Sequence, residues 1–125
     1  MPHASDLSVC VYVDAVRALK RIKGRWKTPL LAALSEGPMR YSEIRRTFPA
    51  LTPKMLAQQL QALEHDGLVV RTELVSDPPK VVVYSLSALG EDARPLLAAL
   101  ADWGRAVAQR QTRHSAPADE PHVEL

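Results

Sequence analysis

In the first quarter of the chain the apolar residues Val9, Tyr12, Val13, Val16 and Leu19 recur at the spacing of an amphipathic helix, and Gly24 supplies its stop. A second helix is predicted in WKTPLLAALSEGP. Thr28 and Pro29 suit its entrance, Leu30, Leu31 and Leu34 form its apolar stripe, and Gly37-Pro38 ends it. In MRYSEIRRTFPAL, Ser42 is the expected cap of a short helix with Ile44 and Phe48 facing inward and Pro49 closing it. A turn through Ala50 and Leu51 leads to Thr52-Pro53, an N-cap followed by proline at the first helical position. The segment TPKMLAQQLQALEHDG then sets Leu56, Leu60 and Leu63 on one stripe, with Gly67 as its C-terminal punctuation. Two short helices joined by a tight turn, the second strongly capped, form a helix-turn-helix pattern.

After Gly67 the period changes. LVVRTELV and KVVVYSLS are rich in β-formers, and the SDPP between them excludes helix, so a two-stranded antiparallel hairpin is expected. Ser87 caps a last helix in which Leu89, Ala93, Leu96, Leu97, Leu100, Trp103 and Val107 share a side, and Pro95 implies a kink or a later true start. At 1.5 Å per residue that helix runs roughly 30 Å, beyond a domain of this size, so part of its stripe is expected to pack on a second subunit. The predicted fold is mainly α with a small β-hairpin (α+β). Its element order is that of a winged helix-turn-helix domain, in which the second helix of the pair enters the DNA major groove and the hairpin reaches phosphates or the minor groove. The expected organisation is a flexible N-terminus at 1–8, the domain with its dimerisation helices at 9–113, and a disordered acidic tail at 114–125.

Composition narrows the class. The 125 residues fit one domain, and 46% apolar against 24% charged residues supports a folded core. No apolar run approaches the roughly 18 residues that span a bilayer, and MPHASDLSV lacks the build of a signal peptide, so a cytoplasmic protein without membrane contact is expected. Net charge is only +2, yet the last twelve residues hold three acids and no Lys or Arg. Residues 17–27, RALKRIKGRWK, hold six Lys or Arg and no acid, a concentration suited to phosphate or, equally, to a solvated helix face.

Opposite Leu56, Leu60 and Leu63, a turn of 100° per residue places Lys54, Gln58, Gln61 and His65, with Ala57 at the edge. Lys54 suits a phosphate or a guanine edge, and Gln58 and Gln61 suit adenine N7 and N6. The same residues also serve simply to solubilise an exposed helix.

Enzymatic chemistry finds no support. The histidines are His3, His65, His114 and His122, and there is no Ser/His/Asp order, phosphate-cradling glycine loop or paired-carboxylate cluster. No cofactor is expected, and no metal: the nearest approach to a ligand set is His114, Asp119, Glu120 and His122 in the tail. The single cysteine, Cys10, has apolar neighbours and Asp14 at i+4, which favour a neutral thiol. It stands as a candidate redox sensor and, alternatively, as an ordinary interface cysteine; with one per chain, a disulfide could form only with a partner subunit or a small thiol.

The run GRWKTPLLAALSEGPMRYSEIRRTFPALTPKMLAQQLQALEHDGLVVR, followed by PPKVVVYSLSALG and LAALADWG, resembles the HxlR-type winged helix-turn-helix transcriptional regulators, a branch related to the MarR regulators. The resemblance covers roughly residues 13–104 and is carried by Gly24-Arg25-Trp26, Gly37, Arg40-Tyr41, Asp66-Gly67-Leu68, Pro79, Tyr84, Leu86, Gly90 and Trp103. It implies a homodimer, joined through N- and C-terminal helices, that binds an inverted repeat in double-stranded DNA and controls transcription. Recognition then falls to residues 52–66, with Thr52, Pro53, Lys54, Ala57, Gln58 and Gln61 as DNA-binding candidates, and the wing to 68–86, with Arg71 and Lys80 as phosphate contacts. Tyr84 and Trp103 take structural roles in the core or interface. Relatives often carry Arg where Gln59 and Gln61 stand, and many carry a cysteine where Val13 stands, some as a sensor of oxidants or electrophiles; a small-molecule or electrophile effector is therefore implied for the family. The alternative is a winged-helix protein-interaction module without specific DNA binding.

Overall fold

A computed structural model describes residues 4–114, with side chains from 10 to 113. Its elements are α1 (Ala4–Ile22), α2 (Lys27–Ser35), β1 (Met39–Arg40), α3 (Tyr41–Thr47), α4 (Pro53–His65), β2 (Val69–Val75), β3 (Val81–Leu86), α5 (Ala88–Asp92) and α6 (Arg94–His114). Leu30, Leu31 and Leu34 of α2, Ile44 of α3, and Leu56, Leu60 and Leu63 of α4 are almost wholly inaccessible and form the centre of the core. Leu51, Leu68, Val69, Tyr84, Leu86 and Leu97 close it from the turn, the sheet and α6. The predicted stripes of α2 and α4 are thus the faces that are buried.

The hairpin is present, with Arg71 opposite Tyr84 and Glu73 opposite Val82, but the sheet has a third strand. β1 pairs antiparallel with β3, Met39 opposite Tyr84 and Arg40 opposite Val83, giving the order β1-β3-β2. That pairing also corrects the expected cap of α3. Arg40 is extended at the N-cap (φ −71, ψ 150), Glu43 accepts from its N–H at 3.1 Å, and Ser42 lies one residue inside the helix.

The helices add further detail. α1 begins at Ala4 and takes in residues 4–8 of the segment expected as the N-terminus. At α2 the N-cap is Trp26, and the Thr28 hydroxyl donates to the Ile22 carbonyl at 2.6 Å rather than capping. The last helix divides where Pro95 implied a kink or a later true start: Ser87 caps α5 as expected, accepting from Gly90 N–H at 3.0 Å, a break falls at Ala93, and α6 starts at Arg94 with Pro95 in its first turn. Of the stripe expected there, only Leu97 is buried; Leu89, Leu96 and Trp103 are exposed, so Trp103 does not fill the core, whereas Tyr84 does. The expected acidic tail lies outside the described residues beyond His114.

Candidate nucleic-acid interface

The helix α4 is fixed at both ends by its own sequence. Thr52 Oγ1 accepts from Met55 N–H at 3.1 Å and Pro53 occupies the first helical position, where its missing N–H leaves no partner wanting. At the other end Gly67 takes φ +77, which lets its N–H reach the Glu64 carbonyl at 2.9 Å and the Leu68 N–H reach Leu63 at 3.0 Å, a Schellman closure with Leu68 packed inward. Asp66 ties this end to the first two helices: Lys27 Nζ lies 3.1 Å from Asp66 Oδ2, and Arg21 Nη1 lies 3.7 Å from Asp66 Oδ1. Ser87 Oγ donates to the Gly67 carbonyl at 2.5 Å, and Ser87 N–H to Leu68 at 2.9 Å.

With Leu56, Leu60 and Leu63 buried, Thr52, Pro53, Lys54, Ala57, Gln58, Gln61 and His65 are all exposed, and Gln59 is half-buried beside them. The outward face is therefore a continuous row of one cation, two amides and a small residue, without a carboxylate among those positions. A row of that chemistry can meet phosphates at its start and base edges along its length.

The wing places Arg71 and Lys80 in less freedom than sequence alone suggests. Both are exposed, but Glu73 Oε1 lies 3.6 Å from Arg71 Nη2 and 3.5 Å from Lys80 Nζ. Arg71 also hydrogen-bonds the Tyr84 hydroxyl; burial pushes that hydroxyl above its ordinary value, and the guanidinium works against the rise. The Glu73 pairings were missed, though only the one with Lys80 depends on how the strands pair. Once Arg71 and Glu73 are placed on one strand, their i, i+2 spacing puts them on one face and gives the signal.

Between the wing and the start of α3 is a cavity of about 420 Å³ lined by Arg40, Tyr41, Ser42, Arg71, Lys80 and Tyr84, with Val81 and Val82 as its apolar part. Further along α3, Arg45 and Arg46 are exposed beside Pro49 and Leu51. The cations of the basic run at 17–27 lie largely on the surface, only Lys27 being half-buried, but several of them have partners. Arg17 pairs with Asp14 at 3.0 Å, Arg21 and Lys27 pair with Asp66, and Arg25 lies 5.3 Å over the Trp26 ring. Cys10 is exposed on α1. Among the described residues no group of three His, Cys, Asp or Glu is placed to hold a metal, and no helix is long and apolar enough to cross a membrane.

Residues 21–112 match a family model described as HxlR-like helix-turn-helix. The chain is 48% identical over 85 residues to the uncharacterised HTH-type transcriptional regulator YtfH of Escherichia coli, covering 68% of this chain and 67% of that one. It is 44% identical over 90 residues to YkvN of Bacillus subtilis, another HTH-type transcriptional regulator, covering 72% and 75%. Among solved structures, the redox regulator HypR in its reduced form superposes with a TM-score of 0.71 at 33% identity, over 81% of this chain and 94% of that one. The quinone-bound YodB of B. subtilis gives 0.61 at 27% identity over 74% and 97%.

Proposed function

This chain belongs to the HxlR-like helix-turn-helix family of DNA-binding transcriptional regulators, and we propose that it works as a homodimer on an inverted-repeat operator, each copy inserting α4 into the major groove. The observation that carries this reading is α4 itself: capped at both ends, seated on the core through three leucines, and presenting exposed Lys54, Ala57, Gln58, Gln61 and His65 on its other side, beside an exposed Met55. In this reading Thr52, Pro53 and Lys54 meet the backbone at the helix start, Gln58 and Gln61 read bases, and Arg71 and Lys80 serve phosphates from the wing. The second copy covers the apolar residues left exposed on α1 and α6, among them Tyr12, Val16, Leu19, Leu96 and Trp103.

The test is selection of bound fragments from sheared genomic DNA, followed by titration of wild type and two variants on the selected and on random duplexes. Lys54→Ala should weaken both and flatten the salt dependence, because a phosphate contact releases counterions. Gln58→Ala should lose about 1 to 3 kcal/mol on the selected duplex alone. Equal loss on both duplexes would remove Gln58 from base reading, and selection of no common sequence would favour the protein-interaction alternative.

A finer reading makes the regulator responsive to oxidants or electrophiles at Cys10. Its support is the exposure of Cys10 on α1, together with the similarity to a redox regulator and to a quinone-bound one. Operator affinity is measured before and after diamide, with Cys10→Ser as the control. Unchanged affinity after confirmed modification of the thiol would eliminate it.

A further inference from the structure

The cavity between the wing and α3 collects three cations from three places in the chain: Arg40 at the end of β1, Arg71 on β2 and Lys80 just before β3. Like charges brought to one opening repel unless an anion joins them, and the anion paired with two of these is Glu73, within 3.6 Å of Arg71 and 3.5 Å of Lys80. These are partly exposed pairs, which exchange partners easily. Among the described residues Arg40 forms no ion pair, and its own neighbour Glu43 is engaged through the Arg40 backbone N–H. Tyr41 and Ser42 complete the lining with hydroxyl groups able to donate.

Four of the eight lining residues, Arg40, Ser42, Arg71 and Lys80, are exposed. A small anionic ligand gains affinity from enclosure, which this opening does not give. A duplex seated on α4 does not need enclosure. It is held in place by α4, and its backbone passes the two elements that flank that helix, the first helix of the pair and the wing. The cavity lies between those two.

We infer that Arg40, Arg71 and Lys80 together clamp one backbone phosphate of the bound duplex, and that Glu73 is the internal anion this phosphate displaces. The inference rests on the DNA-binding reading above and adds to it a further contact residue, Arg40, and a reason for Glu73. Glu73 keeps two of the clamp's cations paired while the protein is free, and it lowers the attraction of the wing for any duplex.

The experiment measures affinity and its salt dependence for wild type, Arg40→Ala and Glu73→Gln on one bound duplex, then repeats the first two on a set of duplexes carrying a single neutral methylphosphonate at successive positions. Arg40→Ala should weaken binding roughly tenfold and reduce the salt slope by about 1, and Glu73→Gln should strengthen binding roughly threefold to tenfold. At one backbone position the methylphosphonate should weaken wild type and leave Arg40→Ala almost unaffected. Additive losses at every position overturn the clamp, as does an Arg40→Ala variant that binds like wild type, the result expected if the cavity served a small organic anion. If Glu73→Gln weakens binding, the displaced-anion role fails. In all these cases wild type still binds, so the DNA-binding reading survives; a wild type that binds no duplex overturns both.

Discussion

Gly90 is buried in α5 against Leu68 and Leu86, and a methyl group on it would run into the Leu68 carbonyl oxygen and lie 3.2 Å from Leu86 Cβ. In an open helix the change from glycine to alanine gains about 1 kcal/mol. Here the obstacle is backbone, which cannot swing aside, and overpacking of about 1 to 3 kcal/mol outweighs that gain. Gly90→Ala is therefore expected to lower the urea midpoint with an unchanged m value; a raised midpoint would contradict the close approach. Tyr84 makes a second residue-scale prediction. Burial holds its hydroxyl protonated in the folded state beyond the value near 10.0 at which an unfolded tyrosine ionises. The folded chain then keeps a proton that the unfolded chain gives up, so stability is full below about pH 10 and falls as pH rises above it. Thermal melts across that range should show wild type declining more steeply than Tyr84→Phe, and parallel declines would discount Tyr84.

At the scale of elements, the C-terminal end of α4 is the junction on which α1, α2 and α5 converge. Asp66 sits beside carbonyls that repel a carboxylate, and Lys27 and Arg21 offset that repulsion. Losing Lys27 leaves the short aspartate side chain in place with only the more distant arginine, whereas losing the aspartate charge lets the long lysine swing towards water. Lys27→Met should thus cost about 1 kcal/mol and Asp66→Asn less, with Lys27→Met nearly neutral in the Asp66→Asn background. Equal, additive losses would deny the pairing. The helices themselves were legible because their signals are local: Thr52-Pro53 at one end of α4, Gly67 at the other and three leucines between. β1 was not, since two residues carry no period and their partner lies some forty positions on. The same omission misplaced the cap of α3, because only pairing with β3 shows that Arg40 is extended. The outward row on α4 could be read from helical geometry alone, but the grouping of Arg40, Arg71, Lys80 and Glu73 exists only once the sheet is assembled.

For the whole molecule, the helical period of α1 was readable while the partner of its apolar side was not, because none of the described residues covers it. Tyr12 is 69% and Val16 51% exposed, and Trp103 on α6 is 68% exposed. In the proposed dimer, Val16→Glu puts a charge from each copy into the interface at about 2 kcal/mol or more apiece. Sedimentation should then show monomers at concentrations where wild type pairs, and operator affinity should fall with it; an unaltered dimer would move the interface elsewhere. The exposed row on α4 has a different kind of consequence. Lys54, Ala57, Gln58, Gln61 and His65 stand clear of the core, and the leucines behind them set the helix position whatever those residues are. If α4 reads bases as proposed, changes in the row alter what is read with almost no effect on folding, and descendants of this gene can then drift in the genomic addresses they answer to while their architecture stands still.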